Sequence, residues 1–90
     1  MYNLLVLLTK VYKKIVPLSI EKEYFMKIAE NIKFYRKHLG LTQEQLANLL
    51  NGKKSLISNY ENGRSTPDIY VLIKLADIFN ISLDELVGRV

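Results

Sequence analysis

Five polar side chains in the second half of the chain have the chemistry needed to bind the edges of DNA bases. Lys54, Ser58 and Asn62 recur at four-residue steps, and Ser55 and Asn59 line up beside them. In a helix, this spacing places all five on one face. Lysine can reach guanine O6 and N7 or a phosphate, asparagine can bind adenine N6 and N7, and serine suits either role. A solvated helix face would have the same composition, so the neighbouring elements must decide between the two interpretations.

The residues before this face predict a short capped helix and a tight turn. Thr42 and Gln45 have the spacing of a capping box, which predicts a helix at 43–50. Asn51 and Gly52 tolerate the left-handed backbone found where helices end, so they end this one. The polar face then belongs to a second helix at about 53–62, whose inner side carries three apolar residues: Leu56, Ile57 and Tyr60. A helix pair of this kind places its second helix in the DNA major groove.

Longer amphipathic segments flank the pair and are expected to hold it in place. Ser19 can cap a helix that runs to about Leu39 and ends at Gly40. Its predicted core face consists of Ile28, Ile32, Tyr35 and Leu39.

After the second motif helix, Asp68 can cap a helix at 68–79, and Ser82 with Glu85 can begin a short final helix that contains Leu86 and Val87. In the helix at 68–79, the predicted inward stripe is Ile69, Leu72, Ile73, Ala76 and Phe79. A second apolar stripe on this helix is expected to need a cover: Val71, Leu75 and Ile78.

Several segments, in this order, resemble the Cro/C1-type, XRE-like family of phage-repressor helix-turn-helix regulators. They are IKFYRKHLGLTQEQLA at 32–47, ISNYENGRSTPD at 57–68 and LIKLADIFNISLDEL at 72–86. The resemblance covers residues 27–88, and it implies an all-α fold, a compact five-helix repressor-like domain that binds double-stranded DNA.

The resemblance also implies roles for matching residues of this chain. Base-reading positions would be Lys53, Lys54, Ser55 and Asn59, and backbone contacts would come from Gln43, Ser58, Asn62 and Arg64. Gln43 would contact phosphate together with the amides of its helix N-terminus. Arg36 and Glu61 match a family ion pair that ties the first domain helix to the recognition helix.

The turn before the recognition helix departs from the family pattern. Relatives usually have glycine, an apolar residue and then serine or threonine, whereas this chain has Asn51, Gly52 and Lys53. Asn51 can replace glycine, but Gly52 loses an apolar contact and Lys53 cannot cap a helix as serine does. We therefore expect either a new contact from Lys53 to DNA or a helix that begins one residue later.

Composition and charge agree with a single DNA-binding domain. The chain has 90 residues, of which 49% are hydrophobic and 24% charged, and no cysteine. Residues 33–64 have six basic and two acidic residues, a net charge of +4, and residues 65–90 have two basic and four acidic residues, a net charge of −2. The positive charge therefore lies on the motif and would steer it toward phosphates. The absence of cysteine and of a secretory cleavage site fits a cytoplasmic protein.

The first 18 residues lie outside the family resemblance, and we expect them to be an amphipathic helical extension of a domain at 19–90. Six apolar residues recur at helical spacing, Leu4, Leu7, Leu8, Val11, Tyr12 and Ile15, while Asn3 and Pro17 can begin and end the helix. Packing on the chain's own domain or on a second subunit is the favoured interpretation. A membrane surface, a small protein partner, or a start site that merely precedes a complete domain at Met26 are the alternatives.

We therefore expect a DNA-binding transcriptional regulator, a repressor that acts as a homodimer on an inverted repeat. The alternative is a protein-interaction module such as the antitoxin of a toxin-antitoxin pair. No catalytic nucleophile with its base, glycine-rich phosphate loop or metal-ligand spacing is evident, so neither enzyme activity nor a cofactor is expected. His38, the one histidine, is expected to be a helix-end residue rather than a ligand.

Overall fold

The computed structural model describes residues 18–89, and every regular element in that range is an α-helix. The five helices are α1 (Leu18–His38), α2 (Gln43–Leu49), α3 (Lys54–Glu61), α4 (Ile69–Phe79) and α5 (Leu83–Val87). This is the five-helix, all-α domain that the sequence predicted. The predicted helix between Asn3 and Pro17 lies outside the described residues.

Helix α1 is the longest element and forms one wall of the core. Ile28, Ala29 and Ile32 are buried, and Tyr35 packs at the edge of the core. The prediction that Leu39 belongs to this face was wrong. The helix ends at His38, and Gly40 turns the chain at a φ of +71°, so that Leu39 lies past the last helical residue and is exposed.

Helices α2 and α3 form the predicted pair, and local signals set their limits. Thr42 Oγ1 accepts a hydrogen bond from the Gln45 amide at 3.0 Å, and Gln45 Oε1 accepts one from the Thr42 amide at 2.8 Å. This is the capping box expected at the start of α2. Asn51 takes the left-handed conformation at a φ of +56° and turns the chain into α3.

Helix α4 packs in a different orientation from the one predicted. Asp68 caps it as expected, with Oδ1 accepting from the Val71 amide at 2.9 Å. The inward face, however, is Leu72, Leu75, Ala76 and Phe79, with Val71 and Ile78 partly buried beside it. Ile69 and Ile73, predicted to lie inside, are exposed, and Leu75, predicted to lie on a second stripe that needs a cover, is fully buried in the core. The apolar residues of α4 that remain uncovered are therefore Ile69, Tyr70 and Ile73.

Two contacts join the ends of the fold to α1. The Tyr35 ring stacks on Phe79 of α4 with ring centroids 5.7 Å apart. Asn31 Nδ2 donates to the Leu86 carbonyl at 2.9 Å, which fixes α5 against α1, and Ser82 Oγ accepts from the Glu85 amide at 3.0 Å to begin α5. Leu86 is fully buried in the shared core. Between residues 18 and 89, no helix is long and apolar enough to cross a membrane.

Candidate nucleic-acid interface

Helix α3 has a buried side and an open side, and the predicted site residues divide between them. Ile57 and Tyr60 are buried in the core. Lys53, Lys54, Ser55 and Asn62 are exposed, as is Arg64 just beyond the helix. Ser58 and Asn59 are only partly exposed, which corrects the expectation that all five polar residues point fully outward. They lie on the border of the open side, where Asn62 Nδ2 donates to Ser58 Oγ at 3.3 Å.

The recognition helix is fixed to α1 by a buried ion pair at its last residue. Arg36 Nε donates to Glu61 Oε2 at 2.6 Å, and Nη2 donates to Oε1 at 3.0 Å. The third donor, Nη1, bonds the Leu41 carbonyl at 2.8 Å. Only 9% of the Arg36 side chain and 2% of the Glu61 side chain are exposed. A bidentate pair shielded from water in this way holds the two helices in one relative orientation.

Gln43, expected to contact phosphate, is connected to the same ion pair. Its Nε2 donates to Glu61 Oε1 at 3.2 Å. An amide NH2 group has two hydrogens, so one N–H remains for a phosphate oxygen. Glu61 thus joins α1, α2 and α3 through one carboxylate. The family resemblance implied the pair of Glu61 with Arg36 but not the bond from Gln43, for which it implied only a phosphate contact.

The unusual turn before α3 is accommodated by the first turn of that helix. A Cβ at Gly52 would lie 2.8 Å from Leu56 Cδ2, inside the van der Waals distance. The Leu56 side chain therefore occupies the space beside position 52, where relatives usually place an apolar residue. Lys53 makes no side-chain cap, and α3 begins at Lys54, which is the later start expected for a turn without a serine or threonine cap. The amides of its first turn are consequently free of any side-chain cap.

Charge and polarity distinguish the open side of α3 from its surroundings. Lys53 and Lys54 are exposed at the N-terminal end of the helix, and Arg64 is exposed past its C-terminal end. The acidic residue of α3, Glu61, is neutralised by Arg36 and lies inside.

On the buried side of α3, desolvation raises the pKa of Tyr60, and the nearby negative charge of Asp68 raises this pKa further. Within residues 18–89, no cluster of histidine, cysteine and carboxylate side chains could hold a metal ion.

In this all-α domain a tight turn joins two short helices, α2 and α3. The inner side of α3 is held by the core and by the ion pair to α1, and its outer side is polar. This arrangement is a helix-turn-helix domain. Residues 32–86 match the sequence profile of the family described as Helix-turn-helix. The chain belongs to this family, in the Cro/C1-type, XRE-like group of transcriptional regulators.

Three relatives show the range of similarity within the family. The chain is 36% identical over 64 residues to the HTH-type transcriptional regulator ImmR of Bacillus subtilis, covering 71% of this chain and 50% of that protein. It is 39% identical over 64 residues to the cryptic phage CTXphi transcriptional repressor RstR of Vibrio cholerae, covering 71% and 57%. A crystal structure of a transcriptional regulator from Listeria innocua is 44% identical, with a TM-score of 0.66, covering 70% of this chain and 59% of that one. The chain thus spans only about half the length of the curated relatives.

Proposed function

We propose that this chain is a sequence-specific, double-stranded DNA-binding repressor that acts in the cytoplasm. The observation that carries the proposal is the open side of α3, where Lys53, Lys54 and Ser55 are exposed while Ile57 and Tyr60 are buried behind them. Two relatives are named as repressors, RstR and the competence pilus inhibition repressor of Acinetobacter baylyi, the latter 41% identical over 61 residues and covering 68% of this chain and 56% of that protein. Repression would follow from occupying promoter DNA, without a chemical step.

In the proposed complex, α3 lies in the major groove. Lys53, Lys54, Ser55 and Asn59 contact bases, and Ser58, Asn62 and Arg64 contact the sugar-phosphate backbone. The amides of Lys54 and Ser55 at the start of α3 and that of Gln43 at the start of α2 can also bind phosphate oxygens, since helix N-termini favour anions. Gln43 adds its side-chain amide at the start of α2.

We further propose that two chains bind an inverted repeat as a homodimer. Two-fold symmetry would place the two α3 helices in successive major grooves, about 34 Å apart. A domain of this size buries a limited core, so association would add stability that the monomer lacks.

Selection of bound fragments from the source genome, followed by titration of the best duplex, tests the proposal. The affinity should fall steeply with salt, and Arg64→Ala should reduce the slope of log K against log salt by about 1, because Arg64 is proposed to contact a phosphate. Lys74→Ala is the matched control, because Lys74 is also an exposed basic residue but lies on α4, and its loss should leave the slope unchanged. No binding to any duplex at low salt would refute the function.

One relative favours a second candidate function. The chain is 34% identical over 62 residues to Antitoxin PezA of Streptococcus pneumoniae, covering 69% of this chain and 39% of that protein. An antitoxin would bind a small protein partner, and such a partner would co-purify with the chain when both are expressed from the native locus. A chain that purifies alone and binds its operator with full affinity would leave the repressor as the better assignment.

A further inference from the structure

The apolar stripe by which α1 faces the core continues toward the helix N-terminus as far as Phe25, which is about half-exposed. Phe25 lies three, four and seven residues before the buried Ile28, Ala29 and Ile32, so it occupies the centre of the same stripe. Tyr24 lies beside it, one turn before Ile28. Nevertheless, 48% of Tyr24 and 46% of Phe25 are exposed. The stripe is thus buried at Ile28, Ala29 and Ile32 and about half-exposed at Tyr24 and Phe25.

Two loops of the domain lie beside α1 at Met26 and Lys27. A Cβ at Gly63 would lie 3.1 Å from Met26 Sδ, and a Cβ at Gly88 would lie 3.1 Å from Lys27 Cδ. Before these residues, α1 runs for about 10 Å from Leu18 to Phe25, at roughly 1.5 Å per residue.

We propose that residues 4–15 of the same chain cover this open stripe of α1, with their apolar residues packed on Tyr24 and Phe25. The segment brings six apolar residues at helical spacing, which match a stripe rather than an isolated pocket. The segment ends at Ile15, and residues 16 and 17 connect it to Leu18, the first residue of α1. The surface that the segment is proposed to cover therefore begins directly after this connection.

The position of the tether favours the chain's own segment over any other occupant. Val11 lies six residues before Pro17, and Phe25 lies seven residues after Leu18, so an antiparallel return at 16–17 brings them to about the same level. A two-residue connection is within the usual range for neighbouring helices. A short tether also gives the segment an effective concentration in the millimolar range, which a second copy reaches only in concentrated solution.

Charge supports the same pairing. Residues 1–17 carry three lysines, Lys10, Lys13 and Lys14, and no acidic residue. Residues 18–30 have two lysines and three glutamates, a formal net charge of −1, and Glu23 and Glu30 are exposed there. Another uncovered apolar surface, Ile69, Tyr70 and Ile73 on α4, is not adjacent in sequence to residues 1–17.

Cysteine pairs in the full-length chain test the proposal, since the natural sequence has no cysteine. Val11→Cys with Phe25→Cys should form an intrachain disulfide in a glutathione buffer at least about tenfold more readily than two control pairs, given the millimolar effective concentration of the segment. The first control, Lys13→Cys with Phe25→Cys, uses the opposite side of the segment. The second, Val11→Cys with Ile73→Cys, uses the exposed face of α4. Equal reactivity of the three pairs, faster closure of the pair on α4, or mainly interchain disulfides at micromolar protein would each overturn the proposal.

A second measurement avoids cysteine chemistry. Val11→Lys should lower the midpoint of thermal unfolding, whereas Thr9→Lys, which adds the same charge on the other side of the segment, should leave it unchanged. In a Phe25→Ala background the Val11→Lys effect should shrink, because its partner surface is already gone. Equal midpoints for the two lysine variants would contradict the proposed packing.

Discussion

Replacement of Glu61 by alanine is expected to destabilise the domain more than any single change on its surface. The Glu61 carboxylate accepts from Arg36 Nε at 2.6 Å, from Arg36 Nη2 at 3.0 Å and from Gln43 Nε2 at 3.2 Å. Without it, the Arg36 guanidinium remains buried and lacks its counter-charge. Breaking a buried pair from one side costs about 3 to 5 kcal/mol, against a total free energy of unfolding of about 5 to 15 kcal/mol for a natural domain.

Denaturant unfolding followed by far-UV circular dichroism measures this cost. The set comprises the natural chain, Glu61→Ala, Arg36→Met and the double variant Arg36→Met with Glu61→Leu. The double variant should lose less stability than the two single variants combined, because no unpaired charge remains. It should not regain all of it, since the Leu41 carbonyl loses the hydrogen bond from Nη1. Lys37→Ala, an exposed neighbour of Arg36, is the control and should change stability by no more than about 0.5 kcal/mol.

Two results would refute this reasoning. If Glu61→Ala and Arg36→Met each cost less than about 1 kcal/mol, the pair behaves like a solvent-exposed ion pair. If the losses of the single variants simply add in the double variant, the two side chains are not coupled. Either result would mean that something other than this pair sets the orientation of α3 relative to α1.

Three further predictions follow from the turn, the open side of α3 and its buried side. In a competition assay between operator variants, Asn59→Ala should reduce the preference for one base at one operator position by about 1 to 3 kcal/mol. Gln43→Ala or Arg64→Ala should instead weaken binding to all sequences alike. A uniform loss of affinity from Asn59→Ala would exclude base reading by this residue. Gly52→Val should reduce the free energy of unfolding less in a Leu56→Ala background than in the natural chain, because Leu56 Cδ2 then no longer occupies the space beside position 52. Denaturant unfolding should give a coupling of roughly 1 kcal/mol between the two substitutions, and simple additivity of their effects would contradict this prediction. The pKa of the Tyr60 phenol is raised in the folded state, which therefore favours the neutral phenol. The stability that this preference contributes is complete below about pH 10 and is lost as the pH rises through the folded-state pKa. Tyr60→Phe should therefore flatten the fall in melting temperature above about pH 10, and identical pH profiles for the two proteins would contradict this prediction.

The starts of α2, α4 and α5 were predictable because their causes are local, whereas the prediction that Ser19 caps α1 was wrong, since α1 already begins at Leu18. Thr42, Asp68 and Ser82 each cap the helix that follows them, and each accepts the backbone bond that its position in the sequence implies. Asn51 likewise adopts the left-handed conformation that its residue type permits. Interactions within three or four residues depend on backbone geometry that the sequence itself determines, so no knowledge of the rest of the fold was needed.

The contacts that shape the proposed interface were harder to predict. The bond from Gln43 to Glu61 joins residues 18 positions apart, and the approach of Leu56 to Gly52 depends on the exact path of a turn. Ser58 and Asn59 sit at the border of the open side because the neighbouring elements cover part of α3. The periodicity of the sequence predicts which residues share one face of a helix. How much of that face is exposed depends on how closely the other helices approach it. The base-reading roles of Lys53, Lys54, Ser55 and Asn59 remain predictions.

Helix α4 shows why periodicity alone could not orient an element that is apolar nearly all round. Its sequence supports a stripe through Ile69 and Ile73 as well as one through Leu75, and both satisfy the helical repeat. In the fold, α4 packs on both α1 and α5 with Leu72, Leu75, Ala76 and Phe79 inward, and this packing leaves Ile69 and Ile73 outside. Had the sequence placed charged residues at 69 and 73, the same orientation would have been predictable. Apolar residues at these exposed positions remove that signal, so the packing partner of α4, not its own pattern, determines which face is buried.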